Sequence, residues 1–267
     1  MQYGEFDMKL GIPTFPLNTD GIDPSGSNIL IRNVNITSYD DSIAVKPADK
    51  RNKIATCAEN ITAENLITYM GVGMTIGSVP PNDNYACIRN VTFRNIVQHF
   101  PLKAIYVKTN PGTHGSGCIE NILYENFTIN DPVWWAIYIG PQQQKQPGGG
   151  GPGCMIYPLD KDCQTQPRID VRNITLRNIV SKGGLLPPGI IRCNETNVCT
   201  GFVFENVHLS GWLIHKDHGY ITENVEGIVI NSFPDPHFNA STSNYEIEQV
   251  AQSIRAIYDD KQTEEIM

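Results

Sequence analysis

Short runs that alternate apolar residues with polar or small ones recur along the chain. Four of them carry apolar pairs two residues apart, at Ile43/Val45, Met74/Ile76, Ile105/Val107 and Ile137/Ile139. A period of two residues is the pattern of a β-strand with one buried face. The runs therefore predict short strands with these residues pointing inward, while the outward positions are Ala44/Lys46, Thr75/Gly77, Tyr106/Lys108 and Tyr138/Gly140.

An Asn-rich phrase precedes each of these strands, as in NILIRNVNI, NVTFRNIVQ and NITLRNIVS. Its second asparagine recurs at intervals of 32, 30, 31, 52 and 28 residues, at Asn33, Asn65, Asn95, Asn126, Asn178 and Asn206. A β-only unit of this length cannot close its own core and must stack on its neighbours. The repeat predicts an all-β fold, a parallel β-helix; leucine-rich repeats are the rival, but leucine is not the repeating residue.

The repeated asparagines and the end of the chain complete the predicted architecture. We expect Asn33, Asn65, Asn95, Asn126 and Asn178 to point inward and to bond between successive coils as a ladder. Residues Ile247, Val250, Ile254 and Ile257 have helical spacing, which predicts a short helix on or near the last coil. The expected organisation is a β-helix over 1–240 and a helical tail over 241–267.

Charge and composition exclude several classes of partner. The chain of 267 residues has 20 Lys and Arg against 28 Asp and Glu, a net charge of −8. Such a surface does not suit nucleic acid or an anionic membrane, and no run of about 18 apolar residues predicts a membrane span. The Gly-rich run in GPQQQKQPGGGGPGC lacks the G-K-[ST] of a phosphate-binding loop. The sequence has no CxxC motif or histidine pair of the spacing that would indicate a zinc site. We expect a monomer with no metal or cofactor.

The seven cysteines indicate disulfides. Cys154/Cys163 and Cys193/Cys199 have the spacing of short disulfide loops, and Cys87/Cys118 would lie one coil apart in matching positions, which leaves Cys57 over. Disulfides and seven N-x-S/T sequons favour an extracellular protein. Since no signal peptide is visible at the N-terminus, the chain is either cytosolic or shortened at that end, and the cysteines favour the second expectation.

Carboxylates are the candidate chemistry on the outward face, which would form a groove suited to a polymer. Asp20 lies in NTDGID, and Asp40 and Asp41 lie in YDDSIAVK. Aligning GID with SIA places Asp20 and Asp41 one coil apart. Crowded acids cannot all ionise freely, so the pKa of one of them rises, which provides a general acid beside a general base for glycoside hydrolysis. The alternative is that these aspartates only serve turns.

The segment NTDGIDPSGSNILIRNVNITSYDDSIAVK resembles the polygalacturonase family, glycoside hydrolase family 28. The resemblance runs from about residue 15 to 235 and implies a right-handed parallel β-helix. The family's N-T-D and D-D motifs match Asp20, Asp40 and Asp41, which implies that Asp20 is the general acid and that the pair activates water. Hydrolysis with inversion predicts carboxyl groups about 6.5–9.5 Å apart.

Two further family motifs are altered. Where the family has G-H-G, this chain has Gly71-Val72-Gly73, and where it has R-I-K, this chain has Tyr106-Val107-Lys108. The resemblance implies substrate-binding roles for Lys108, Tyr106, Asn18 and Gly73. Tyrosine offers one hydroxyl and a stacking face in place of a bidentate guanidinium, so recognition of a galacturonate carboxylate is altered.

The leading interpretation is a secreted polygalacturonase-like hydrolase that cleaves α-1,4 galacturonosyl bonds of pectin. Three alternatives remain. One is a β-helix that binds carbohydrate without turnover, for which Val72 and Tyr106 are the reason. The second is a calcium-dependent polysaccharide lyase, which shares the β-helix, and the third is a structural or adhesion solenoid. Trp134 and Trp135 are further candidates for stacking on sugar.

Overall fold

The described part of the chain forms two parallel β-sheets, and successive strands alternate between them. The computed structural model describes residues 18–47, 57–81, 85–143, 157–159, 163–214 and 219–264. The seven-stranded sheet holds β1 (Ser27–Thr37), β3 (Cys57–Tyr69), β5 (Tyr85–His99), β7 (Ser116–Asn130), β9 (Ile169–Lys182), β11 (Cys199–Ser210) and β13 (Val225–Ile230). The six-stranded sheet holds β2 (Ile43–Val45), β4 (Met74–Val79), β6 (Ile105–Thr109), β8 (Ile137–Ile139), β10 (Gly189–Arg192) and β12 (Ile221–Glu223).

Each coil contributes one long and one short strand, and each strand pairs in parallel with its equivalent in the next coil. Ile61 is in register with Val91, and Val91 is in register with Ile122. In the short strands Ile43 is in register with Met74, and Met74 with Ile105. The parallel β-helix predicted from the repeat is therefore confirmed.

The inward column predicted from the alternation is also confirmed. Ile43, Met74, Ile105 and Ile137 are fully buried, and they belong to one apolar core that runs between the two sheets. Burying each such side chain contributes roughly 1.5–3 kcal/mol. Because every coil supplies the same positions, stacking continues one core along the axis.

The asparagines form ladders, but they do not point inward. Asn65 donates from Nδ2 to Oδ1 of Asn33 over 3.2 Å, and Asn95 donates to Asn65 over 3.1 Å, all with exposed side chains. These residues have φ between 57° and 58°. They occupy left-handed bends of the long strands, a conformation that asparagine tolerates. An amide that pointed inward would have taken the place of an apolar side chain in the core. The expectation that these asparagines point inward was therefore wrong.

A second ladder of the same kind lies at the preceding bend. It comprises Asn28, Asn60, Asn90, Asn121 and Asn173, joined by side-chain hydrogen bonds of 3.0–3.3 Å. Several of the N-x-S/T sequons therefore coincide with ladder positions. Their recurrence follows from the bends of the strands as well as from any role in glycosylation.

A second apolar cluster covers much of the outer face of the six-stranded sheet. Helix α1 (Asn244–Glu264) supplies Val250 and Ile254 to this cluster, and the outward positions Tyr138 and Ile190 belong to it. Ser243 and Glu246 cap the start of the helix, with Ser243 N donating to Glu246 Oε2 over 2.9 Å. The predicted helix is confirmed, but the outer face is less open than the alternation indicated.

The tryptophan pair belongs to the same cluster. Trp134 is 6% exposed and Trp135 is fully buried. Both rings therefore contribute to packing, and the interpretation of this pair as a sugar-stacking surface is wrong.

The disulfides differ in part from the expected pairs. Cys57 is bonded to Cys87, with Cα atoms 4.6 Å apart, and Cys118 is a buried free thiol, so the expectation for Cys87 and Cys118 was wrong. Cys57, Cys87 and Cys118 occupy matching register positions on three coils, so spacing did not separate the two possible pairs.

The second short loop is confirmed and the first is tested in part. Cys193 and Cys199 form a disulfide. Cys163 is disulfide-bonded, while Cys154 lies outside the described residues. Separately, no helix in the described ranges is long and apolar enough to cross a membrane.

Candidate active site

The two acidic segments meet because they occupy consecutive coils. Gly21 N donates to Asp41 O over 2.8 Å, and Ile22 forms a parallel bridge with Ile43. This pairing places the carboxyl group of Asp20 beside that of Asp41. The predicted juxtaposition of these two acids is therefore confirmed.

Lys46 joins the acids at the mouth of the site. Its Nζ atom lies 3.6 Å from Oδ2 of Asp20, 3.8 Å from Oδ2 of Asp23 and 3.7 Å from Oδ2 of Asp41. The sequence interpretation assigned no role to Lys46 or Asp23. The signal was present, because Lys46 follows the D-D strand in the outward column and Asp23 lies three residues after Asp20.

Asp41 is buried, and both of its carboxylate oxygens are occupied. Its Oδ1 accepts a 2.8 Å hydrogen bond from the Thr75 hydroxyl, and its Oδ2 accepts a 2.6 Å hydrogen bond from Lys108 Nζ. The side chains of Asp41 and Lys108 are 1% and 4% exposed. The predicted substrate-binding lysine is thus a buried counterion of a predicted catalytic acid.

Asp40 is half-buried and is held by two backbone amides. Its Oδ2 accepts from Asn18 N over 2.8 Å, and its Oδ1 accepts from Asp41 N over 2.9 Å. Burial, and next the charge of Asp41, raises the pKa of Asp40, while the Asn18 amide opposes the shift. Asn18 therefore acts here through its backbone, at a φ of 58°.

Asp20 has the environment of a general acid. Burial raises the pKa of Asp20 to about 6, followed by the negative charges of Asp41 and Asp23, while Lys46 lowers it. Its side chain is 22% exposed, against 1% for Asp41. Asp20 is therefore a carboxyl group that holds a proton in mildly acidic solution and remains open to a ligand.

The altered family positions lie behind the acids, in the second apolar cluster. Val72 is 8% exposed and Tyr106 is 3% exposed. The Tyr106 hydroxyl is buried without a hydrogen-bond partner, and burial raises its pKa well above the usual range. The structure thus leaves the Tyr106 ring only an indirect influence on a ligand.

A buried lysine accompanies these rings and was not singled out by the sequence interpretation. Lys103 Nζ lies 4.3 Å from the ring centroid of Tyr106 and 3.8 Å from that of Tyr138. Burial, and next the charge of Lys108, lowers the pKa of Lys103 to about 7, while Asp41 and Asp40 raise it. Cation–π contact with two rings stabilises the ammonium form in this position.

Gly73 shapes the backbone behind the acids. Its φ is +55°, and a Cβ there would collide with the carbonyl oxygens of Lys103 and Ala104. Gly73 O accepts from Ser42 N over 3.1 Å, which fixes the segment that follows Asp41. The residue is buried, so its contribution is one of close backbone packing.

The profile described as Glycosyl hydrolases family 28 matches residues 6–229. The chain belongs to this family. The acids of its first two coils and the altered G-H-G and R-I-K positions are thus features of a family-28 chain, and the resemblance inferred from the sequence is confirmed.

Curated relatives of this family-28 chain include Aspergillus proteins that are named as a polygalacturonase and a rhamnogalacturonase. It is 28% identical over 218 residues to a "Probable exopolygalacturonase C" of Aspergillus fumigatus, covering 73% of this chain and 46% of that protein. It is 27% identical over 217 residues to a "Probable rhamnogalacturonase E" of Aspergillus flavus, covering 78% and 40%. The chain therefore spans less than half the length of these relatives.

A solved structure has the same fold. The endo-xylogalacturonan hydrolase of Aspergillus tubingensis superposes with a TM-score of 0.52 at 17% identity, covering 86% of this chain and 55% of that one. At this identity the similarity supports the β-helix alone.

Proposed function

We propose that this family-28 chain is a polygalacturonase-like hydrolase that cleaves α-1,4 galacturonosyl bonds of pectin. The observation that carries the proposal is the carboxyl group of Asp20, whose pKa is raised to about 6, beside the ion-paired carboxylate of Asp41 on the next coil. A protonated and an ionised carboxyl group at one open site are the requirement for inverting acid/base hydrolysis.

The environments of the three acids support different roles. Asp20 is the most open of them and donates its proton to the leaving glycosidic oxygen. Asp40 is half-buried, so water reaches it, and its carboxylate accepts a proton from the attacking water. Asp41 is 1% exposed and ion-paired with Lys108 and Lys46, so it supplies the negative charge that keeps Asp20 protonated and it holds the two lysines in place.

The substrate is expected to be a pectic polysaccharide, in line with the names of the relatives. Tyr106 is buried and Lys108 is engaged with Asp41, so neither presents a free charge to a galacturonate carboxylate. Lys46, at 32% side-chain exposure, is the cation of the site nearest to solvent. This arrangement favours a pectic chain with fewer free carboxylates than polygalacturonate.

We further propose that the protein acts outside the cell as a monomer. The disulfides Cys57–Cys87 and Cys193–Cys199 support the location, because such bonds persist in oxidising compartments. The monomeric state is open to measurement by sedimentation velocity.

Release of reducing ends tests the proposal. Wild type is compared with Asp20→Asn and Asp40→Asn on polygalacturonate, methyl-esterified pectin and rhamnogalacturonan, with Asp170→Asn as a control in β9. We expect each site variant to lose at least about 100-fold in kcat, the range of general acid or base catalysis, and the control to keep its rate. Full activity in Asp20→Asn would overturn the assignment.

A second candidate is a pectin-binding β-helix without turnover. The burial of Lys108 and Tyr106 favours it. These residues occupy the R-I-K positions, for which the family resemblance implies contact with substrate. Binding to pectin with no release of reducing ends from any substrate would support it. The lyase alternative would require unsaturated products that absorb in the ultraviolet. Lys46 and Lys108 form ion pairs with Asp41, so ammonium groups are the counterions of the acid that a calcium site would use.

A further inference from the structure

Four large side chains are exposed along the turns that lead into the candidate active site. Tyr39 is 43% exposed, Tyr69 43%, Met70 42% and Phe100 51%. They lie on three successive coils between the seven-stranded and six-stranded sheets, and we call them the turn strip. An exposed run of this kind marks a binding surface more often than single exposed apolar residues do.

The turns that carry the strip are held in register by backbone hydrogen bonds. Ser38 N donates to Tyr69 O over 3.4 Å, and Met70 N donates to His99 O over 2.8 Å. Successive coils are about 4.8 Å apart, as in any parallel sheet. Met70 and Phe100 occupy equivalent turn positions on neighbouring coils and are therefore about 4.8 Å apart along the axis, close to the length of one sugar residue in an extended polysaccharide. Tyr69 is next to Met70 in sequence, and Tyr39 lies on the preceding coil.

One ring of the strip is fixed as a flat platform. The Tyr69 ring stacks on the His99 imidazole with centroids 4.9 Å apart and planes inclined by 12°. His99 Nδ1 in turn lies 3.5 Å from Asn130 Nδ2. The tyrosine side chain is 43% exposed in an orientation that this stacking orders.

The backbone at two members of the strip is unfavourable for the residues present. Met70 and Phe100 have φ values of 61° and 55°, in the left-handed region. The equivalent turns of later coils place Gly183 and Gly211 in that region, at 75° and 83°. A bulky residue there costs about 1 kcal/mol or more, and exposure gives no burial in return. Such a local cost is characteristic of binding sites.

The strip is continuous with the catalytic acids. Tyr39 directly precedes Asp40, and Val72 N, two residues after Met70, donates to Asp40 O over 2.8 Å. None of the four side chains carries a charge. A ligand that enters the site would therefore meet an uncharged, largely aromatic wall, which suits the C–H face of a pyranose ring.

We propose that the turn strip binds methyl-esterified galacturonan, as an aromatic wall beside the acids that accepts successive uncharged sugar rings. The inference rests on the proposed function for the identity of the polymer. It deepens that function by assigning a preference for esterified over free galacturonate, which agrees with the burial of Lys103 and Lys108.

Affinity electrophoresis in gels that contain polysaccharide tests the strip without requiring turnover. The double variant Met70→Asn/Phe100→Asn removes the apolar surface and introduces the residue that this chain uses at other left-handed bends, so it retains the fold. We expect about tenfold weaker binding to methyl-esterified pectin. The control Tyr245→Ser, at a site 72% exposed on α1, keeps its affinity.

Three results would overturn the proposal. They are equal retardation of wild type and double variant by esterified pectin, a loss of affinity confined to polygalacturonate or a neutral galactan, and a wild-type dimer in sedimentation velocity that the double variant abolishes. If the double variant does not fold, Tyr69→Leu, which keeps bulk and removes the aromatic face, is subject to the same criteria.

The strip and the proposed reaction fail separately. Asp20→Asn is expected to bind esterified pectin as wild type does while releasing no reducing ends. A wild type that binds through the strip but has no turnover would leave the strip standing and remove the hydrolase assignment. Turnover and binding that the strip variants leave unchanged would remove the strip assignment and leave the hydrolase assignment standing.

Discussion

Lys108 Nζ lies 2.6 Å from Asp41 Oδ2, and both side chains are withdrawn from solvent. This ion pair joins two coils that are separated by a third, since Lys108 is on β6, Asp41 lies two residues before β2, and β4 lies between these strands. Taking two charges out of water is costly unless they are paired and their remaining atoms are bonded. Thr75 bonds the other Asp41 oxygen, which completes the arrangement.

Lys108→Met is expected to destabilise the protein by about 3 kcal/mol, because it leaves the Asp41 carboxylate buried without its nearest counterion. Urea unfolding measures the change. Arg94→Met is the matched control, because Arg94 pairs with Glu64 at 47% exposure and should cost less than about 1 kcal/mol. A loss equal to that of the control would contradict the importance of the pair. Adding Asp41→Asn to Lys108→Met should recover part of the loss.

The pH dependence of activity follows from Asp20. Because its pKa is raised to about 6, the proposed general acid is protonated below that pH, and turnover is expected to fall as pH rises through 6. A profile of kcat/KM against pH measures this limb. A rate that stays constant from pH 5 to 8 would argue against Asp20 as the proton donor.

The same carboxyl group makes stability pH-dependent. The folded-state pKa lies above the ordinary aspartate value of 3.8, so the folded chain binds the proton more tightly than the unfolded chain, and the resulting stabilisation is lost as pH rises through 6. Asp20→Asn should stabilise the protein at pH 7 by about 1 kcal/mol, allowing for solvent screening, and less at pH 4. Thermal unfolding at the two pH values compares them.

Lys103→Met is expected to stabilise the protein at acidic and neutral pH. The pKa of Lys103 is lowered from 10.5 to about 7, so charging it costs more in the folded state than in the unfolded chain. That cost is present in full below pH 7 and disappears as pH rises from 7 to 10.5. The gain in melting temperature should therefore shrink over this interval. Lys182→Met, at an exposed position, should show no such trend.

Asn95 tests the ladder. It donates to Asn65 over 3.1 Å, accepts from Asn126 over 3.0 Å, and has a φ of 57°. Asn95→Ala should cost about 2 kcal/mol, because it loses both bonds and strains the bend. Asn95→Gly should cost less, since glycine keeps the conformation. Equal losses in urea unfolding would assign the whole effect to the hydrogen bonds.

Peptide mapping tests the cysteine pairing. Alkylation of the unfolded, unreduced protein should label Cys118, and proteolysis should recover a linked peptide containing Cys57 and Cys87. A link between Cys87 and Cys118 would restore the pairing inferred from spacing.

The fold was accessible from sequence because its determinants are local and repeated. The apolar alternation at Ile43/Val45 and its equivalents reports one buried face per strand, and the recurring asparagines report the bends. Orientation was less accessible. Spacing shows that an asparagine recurs at the position of Asn65, but not that its side chain is exposed. The positive φ of the residue decides which way the side chain points, and spacing does not report it.

The site was predictable as a set of acids but not as a set of contacts. The motifs located Asp20, Asp40 and Asp41, and register placed Asp20 beside Asp41. The motifs did not indicate that Lys108 is buried on Asp41 or that Lys103 lies against Tyr106 and Tyr138. These contacts join residues from different coils through side chains whose reach has no signature in sequence.

The amino-acid sequence by itself determined the stacked coils, the terminal helix, the family and the acids, since each depends on a pattern repeated within a short stretch. The tertiary structure alone decided which outward side chains remain in solvent. Helix α1 and the neighbouring turns bury Tyr138 and Ile190, whereas Tyr69 and Phe100 stay exposed at the turns of their coils. The reason is that burial depends on what the rest of the chain places over a position, which a residue's local pattern does not contain.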